Sequence, residues 1–309
     1  MTLQLFAQDE AKKERKRYDN FKERNISKTY PASGNTLNID NQFGDVKITT
    51  WDKNEIKVDI HIEASSTDKE YAEKTFAGMD VTDKQEGKEI TFKTTFAKNE
   101  AHCKNCSNTM SVDYDIHLPA TNTMNINNSF GGITIPDYNG AVSLTSMYGS
   151  LTAGKLSKLE KLDVQFGKAD LKTLSNSDVT FSYSTINIDN LSGSNKIKMD
   201  FCSYSKIVLD NSLTSLSLNN SYSSVHLQPA ANFSASYDVS TSYGSFIDKT
   251  NADIKRTDKP SEYGPDLDKH YEGKSGSGSA KITVKSSFGN IMIGEGTKED
   301  MKPKKKVRS

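Results

Sequence analysis

MNINNSFGGITIPDYNGAVSLTSMYGSLTA, residues 124–153, contains the same phrase twice. Each copy centres on an aromatic residue followed by glycine, Phe130-Gly131 and then Tyr148-Gly149. Apolar residues stand four and six positions before it: Ile126 and Met124 in the first copy, Leu144 and Val142 in the second. They return three and five positions after it, as Ile133 and Ile135, then as Leu151 and Ala153. A period of two on each side means two short strands, each with one buried face. Because the apolar offsets are even before the aromatic and odd after it, a bend or bulge must lie between them, and a small residue suits it.

The phrase recurs along the chain as Phe43-Gly44, Phe166-Gly167, Tyr183-Ser184, Tyr204-Ser205, Tyr222-Ser223, Tyr243-Gly244 and Phe288-Gly289. From Phe130 to Tyr243 the steps are 18, 18, 17, 21, 18 and 21 residues, which marks a repeat architecture. A unit of about 18 residues cannot bury its apolar face alone and must stack on its neighbours, at roughly 4.8 Å per rung. The expected fold is therefore all-β: a parallel β-solenoid with rungs of about 18 residues, plus an N-terminal β-rich cap with one short helix. Phe43, Phe130, Tyr148, Phe166, Tyr183, Tyr204, Tyr222, Tyr243 and Phe288 form its repeat ladder. The even offset to the apolar residues predicts that this ladder faces inward; facing outward, it would offer a stacking surface for sugar rings. The Tyr204 copy is shifted by one residue, with Ile197, Met199 and Phe201 before it, and predicts a bulge.

Domain organisation follows from where the repeat starts, stops and resumes. Residues 1–28 read as a leader or extension, in which LQLFAQ is like the tail of a signal peptide and KKERKRYDNFKER is a solvated basic stretch of a helical turn or two. The truncated apolar run fits either a chain written from a late start codon or an ordinary cytosolic start. Residues 29–120 hold a first rung, TLNIDNQFGDVKITTW, and then the cap, whose helix is expected at Asp68 to Met79 with Asp68 capping it. Residues 121–250 are uninterrupted rungs, and 251–280 are a Pro/Gly/Ser-rich surface loop. Residues 281–296 close the rod as its last rung, and 297–309 are a basic tail. Its PKKKVRS reads as a solvated end, with a nuclear import signal or polyanion patch as the competing reading.

SKTYPASGNTLNIDNQFGDVKITTWDKNEIKVDIHIEASS, the units LTSMYGSL, LDVQFGKADL, IKMDFCSYSKIVL and LSLNNSYSSVHL, and the closing GSGSAKITVKSSFGNIMI resemble the bacterial putative-adhesin family of β-strand-repeat proteins, common in Bacteroidetes. The resemblance covers roughly residues 27–295. It implies the fold, and it implies export to the periplasm, outer-membrane surface or extracellular space. It carries almost no biochemical meaning, because the family's label rests on architecture.

Charge and hydropathy narrow the classes. Lys plus Arg equals Asp plus Glu at 40 each, so no bulk field argues for nucleic acid or an anionic membrane. No apolar run approaches the ~18 residues of a transmembrane helix. Cys103 and Cys106 form a lone C-x-x-C beside His102; a local disulfide, a reduced pair and half of a metal site shared with a partner chain are the readings open to it. Cys202 is a packed rung residue. Asp189-Asn190 and Asp210-Asn211 fall at offsets six and seven of consecutive rungs, and stacked carboxylates there could hold calcium, although Asp-Asn at a corner more often caps the turn. No Ser/His/Asp set, H-E-x-x-H or Gly-rich phosphate loop appears in the sequence, so no catalytic residue or cofactor is named. The expectation is a non-enzymatic exported envelope or surface interaction protein, with a protein or glycan as its surface ligand. A periplasmic scaffold or envelope-stress signalling partner is the alternative, and a carbohydrate-active enzyme comes third.

Overall fold

A computed structural model describes residues 16–97, 103, 105–260 and 264–301. The leader expected over residues 1–15 and the basic tail expected over 302–309 lie outside these residues. The protein is all-β with one α-helix among the described residues, Lys69–Ala77. Asp68 is its N-cap and accepts the Tyr71 N–H at 2.8 Å, as its sequence predicts.

The sheet is mixed, and its strands fall into two ladders joined at the aromatic-Gly corners. The leading ladder contains the strand before each aromatic. Thr36–Gln42 pairs in parallel with Thr123–Ser129, which pairs in parallel with Tyr138–Met147. The pairing continues through residues 162–165, Asp178–Ser182, 196–200 and 215–221. The trailing ladder contains the strand after each aromatic: Val46–Trp51, Ile133–Ile135, 150–155, Lys168–Ser175, 185–192, 205–209 and Ser224–Pro229. Leu151 lies on Ile133, Ala169 on Leu151 and Ile186 on Ala169, so equivalent positions of successive copies sit on one another. Between the ladders runs one continuous core of Ile, Leu, Val and Met, with Leu37, Val142, Leu144, Leu218 and Ile282 fully buried.

Antiparallel strands finish both ends, where a parallel ladder would leave unpaired backbone. At the amino end Glu89–Phe96 extends the leading ladder in parallel and is covered by antiparallel Met79–Glu86. Asn108–Pro119 extends the trailing ladder and is followed outward by Glu55–Ser66 and Asn20–Pro31, each antiparallel to the last. Residues 20–28, expected within a leader or extension, are thus part of a twelve-residue strand. Their alternation was hidden by charge, since NFKERNISKTYP is an edge strand and edge strands favour charged residues.

The carboxyl end differs from expectation twice. The stretch 251–280 is not a loop throughout: Asp268–Ser275 pairs antiparallel with Ala235–Ser242, and Lys255–Arg256 pairs with it in turn. Nor is the Phe288 copy the last in the ladder. Ala280–Ser287 pairs in parallel with residues 215–221 on one side and with Ala235–Ser242 on the other, so the copy latest in sequence is the penultimate rung in space. The GKSGSGS segment makes this insertion possible by crossing over the start of the Tyr243 rung. Gly276 and Gly278 adopt φ of 54° and 76°, and Ser234 Oγ accepts the Gly278 N–H at 2.9 Å.

Candidate interaction surface

Each ladder aromatic occupies the left-handed backbone region. Phe43, Phe130, Tyr148, Phe166, Tyr183, Phe201, Tyr222, Tyr243 and Phe288 have φ between 50° and 60°. The conformation costs a non-glycine residue roughly 1–2 kcal/mol, and it reverses the side-chain direction at that one position. The corner is therefore made by the aromatic itself, while the apolar residues before and after it still face the core. The small residue after it is needed for close approach, since a Cβ on Gly149 would lie 1.9 Å from the Gly131 carbonyl oxygen.

The rings form one continuous column. Successive centroids are 4.7–5.1 Å apart and the planes differ by 1–12°, from Phe43 through Phe130, Tyr148, Phe166, Tyr183, Phe201, Tyr222 and Phe288 to Tyr243. Offset aromatic pairs are each worth about 0.5–1.5 kcal/mol beyond area burial, so an interior ring with two neighbours recovers much of its backbone cost. Eight of the nine rings are 41–56% exposed, which overturns the inward-facing ladder. The parity count failed because it assumed extended backbone at the aromatic, where a left-handed residue turns the ring outward.

Tyr204 is not a ladder residue. Phe201 takes its place, stacked 5.1 Å from Tyr183 and 4.7 Å from Tyr222, with Cys202 in the small-residue position and buried. One extra residue then follows. Ser205 pairs with Val225, putting it four positions after its aromatic where Val225 stands three after Tyr222. Tyr204 is squeezed into this bulge and hydrogen-bonds the buried His226 Nδ1 at 2.9 Å, while His226 Nε2 bonds the Gly294 carbonyl at 2.7 Å. The signal was present, since Ile197 and Met199 stand four and two residues before Phe201 as Leu162 and Val164 do before Phe166.

Beneath the column, polar side chains two residues before the aromatic tie off the corners. Asn128 Nδ2 donates to the Gly44 and Gly132 carbonyls at 2.9 and 3.1 Å, and Asn220 Nδ2 donates to the Ser223 carbonyl at 3.1 Å. On the surface the stacking leaves ring edges and Tyr hydroxyls outward, while the ring faces are covered by the neighbouring rings. Phe96 closes the first face edge-on, 5.3 Å from Phe43. The column is thus a ridge roughly 40 Å long at a rung spacing near 4.8 Å.

The other sequence candidates lie elsewhere. Cys103 and Cys106 sit in the segment leading into Asn108–Pro119, with Cα atoms 5.6 Å apart and sulfurs in contact. Asp189 and Asp210 do not face each other. The register slips between the pairs Ile188–Ile207 and Leu191–Leu209, which brings Asn190 to Asp210 at 2.9 Å. Asp210 also accepts the Ser212 N–H at 2.8 Å, and Asp189 accepts Asn187 Nδ2 at 2.8 Å. Hydrogen bonds from Ser212 hold the Asp210 carboxyl below the usual range, as for a turn-capping carboxylate.

The flap over the Tyr243 rung is fastened by Arg256, which bonds Asp258 and Asp266, while Asp258 Oδ1 accepts the His270 N–H at 2.7 Å. Arg256 first, then the His270 N–H, hold the Asp258 carboxyl well below its ordinary value. A depressed carboxyl contributes stability that is present above its unfolded value of about 4 and is lost as pH falls from there toward the folded value. Amide protection in Asp268–Ser275 is therefore expected to drop below about pH 4, before protection in 215–221 does. Equal persistence of both at pH 2, measured by hydrogen exchange, would show that the ion pair does not fasten the flap.

No family model matches the chain. No curated protein matches it either. Solved structures do. A putative cell adhesion protein from Clostridium sporogenes is 11% identical, with 89% of this chain and all of that one covered and a TM-score of 0.28. A putative adhesin from Bacteroides fragilis is 10% identical over 87% of this chain and 97% of its own, also at 0.28. A putative lipid binding protein from Parabacteroides distasonis is 10% identical over 90% and 98%, at 0.31.

Proposed function

We propose that the protein is a non-enzymatic, exported interaction module, built as a parallel β-solenoid, whose working surface is the outward aromatic column. The observation that carries this reading is the exposure of eight stacked rings in a line along the rod. Isolated exposed apolar residues are ordinary, but a contiguous apolar stripe marks a contact surface. Parallel pairing of equivalent positions from rung to rung supports the solenoid assignment. Export is what the family resemblance implies. In this organisation the cap and first rung run to about residue 120, the rungs consecutive in sequence to about 250, the flap to about 280, and the rung inserted among them to about 296.

Ring orientation narrows the ligand. A sugar stacks on an aromatic face, and within the column those faces are already occupied by other rings. Ring edges with a line of Tyr hydroxyls suit the side of an extended protein segment or a second rigid surface instead. Rigidity lowers the ordering cost of such a contact.

Protease shaving of intact cells of the native bacterium tests exposure, and a chromosomal Phe166→Ser/Tyr183→Ser variant tests the column. Loss of the protein on shaving, with at least a tenfold fall in cell adhesion for the variant at unchanged protein level, is the expected result. Protection within the periplasm would move the reading to a scaffold. Surface exposure with unaltered adhesion would remove the column from the function.

A further inference from the structure

The cap carries a second constellation that sequence spacing hides. Glu23 lies directly opposite Glu63 across the antiparallel pair Asn20–Pro31 and Glu55–Ser66, and Asn25 lies opposite His61. Alternation puts all four on one face of the two strands. His61 Nε2 is 3.6 Å from Glu63 Oε2 and 4.0 Å from Glu23 Oε2, and the three ligand atoms lie within 4.8 Å of one another. Among the described residues this is the one group of three or more His, Cys, Asp or Glu side chains so gathered.

Two features point to a cation. Like charges directly across an antiparallel pair are destabilising and call for a positive partner between them. The imidazole is also oriented for ligation: Nδ1 is 2.8 Å from Asn25 Oδ1, an acceptor, so Nδ1 is the donating nitrogen and Nε2 is the one turned toward the two carboxylates, where a metal would take the place of any proton on it. Asn25 is outside the ligand set and orients the ring, as outer partners of metal-binding histidines do. Arg17 answers the charge in this structure, with Nε 3.1 Å from Glu63 Oε1 and Nη2 3.0 Å from Glu23 Oε2. Its guanidinium also lies 4.5 Å from the centre of the Phe21 ring, a place to rest if displaced.

We infer that Glu23, His61 and Glu63 form a binding site for a divalent first-row transition metal of the Zn²⁺ type, with Arg17 as the counter-ion that the metal displaces. One nitrogen and two oxygens suit such a cation, whereas calcium takes oxygen ligands alone. Tetrahedral bonds of about 2.0–2.2 Å place ligand atoms about 3.4 Å apart, so the site needs to close only slightly. Three protein ligands leave a fourth position for water or a partner's side chain. Bound metal would staple the outermost strand of the trailing ladder to its neighbour.

Calorimetric titration of the tag-free full chain with Zn²⁺ alone tests the site. One equivalent is expected to bind, with affinity falling at least tenfold in His61→Gln and in Glu23→Gln. Arg17→Ala is expected to tighten binding severalfold, which a purely structural ion-pair cluster would not do. The Cys103→Ser/Cys106→Ser variant is expected to keep the site, separating it from the C-x-x-C. Absence of binding in both the wild type and Arg17→Ala would overturn the assignment, as would binding that survives His61→Gln or is lost with the cysteines.

Discussion

Leu218→Asp is expected to abolish the cooperative thermal transition. Leu218 is fully buried and sits in the leading ladder between Ile197 and Val284. Removing its side chain forfeits about 2–5 kcal/mol as in other leucine truncations, and an unpaired buried carboxylate adds several kcal/mol more. Together these approach the ~5–15 kcal/mol that holds a typical domain folded. The damage would not stay local, because each rung is stabilised through its two neighbours. Ile135→Asp, buried on Ala153, should act alike. Asn219→Asp provides the control: the next residue is exposed and should melt as the wild type does. A wild-type melting curve by calorimetry for Leu218→Asp would refute the inward assignment of the alternation.

Gly149→Ala should lower stability by on the order of 3 kcal/mol, at the upper end of ordinary overpacking. The added Cβ would meet the backbone carbonyl of Gly131 at 1.9 Å, and backbone cannot step aside as a side chain can. Gly131 in turn rests on Gly44, and Gly167 on Gly149, so a shift in one corner is passed to the next. Further along the rod the same column holds Ser184, Cys202 and Ser223. There Ser184 Oγ accepts the Gly167 N–H at 3.1 Å and Ser223 Oγ accepts the Cys202 N–H at 2.8 Å. Gly149→Ser is therefore expected to be milder than Gly149→Ala despite its extra atom, because the hydroxyl can take up the Gly131 N–H. Chemical denaturation gives both numbers. Equal, negligible losses would mean that the glycine column is not set by close approach.

Much of the architecture was legible because the strands of each repeat are written locally. Val225 and Leu227 after Tyr222, or Ile133 and Ile135 after Phe130, declare a strand with one buried face wherever they stand in the chain. Asp68 declared a helix start in the same way. The candidate surface was only half legible. Repetition of the aromatic named the column, but its direction depended on one dihedral angle, which hydrophobic parity does not report. Phe201 is masked in the sequence because Tyr204-Ser205 imitates the phrase more closely than Phe201-Cys202. The Glu23, His61 and Glu63 cluster had no sequence signal, because its members come from strands about forty residues apart in the chain and meet only through register.

The amino-acid sequence by itself determined the all-β class, the spacing of the repeats, the inward-facing aliphatic residues and the place of the helix, because each rests on periodicity or capping within one short segment. Tertiary structure alone decided which rungs are neighbours, which way the rings point and which charges meet. Ala280–Ser287 lies between two earlier rungs because its backbone donors and acceptors are satisfied on both sides there, with Ile282 and Val284 buried in the common core. Every rung offers nearly the same hydrogen-bonding edge and the same apolar face, so local pattern cannot rank the possible neighbours. Only the closed set of pairings, with its crossover at Ser234, makes one order the folded one.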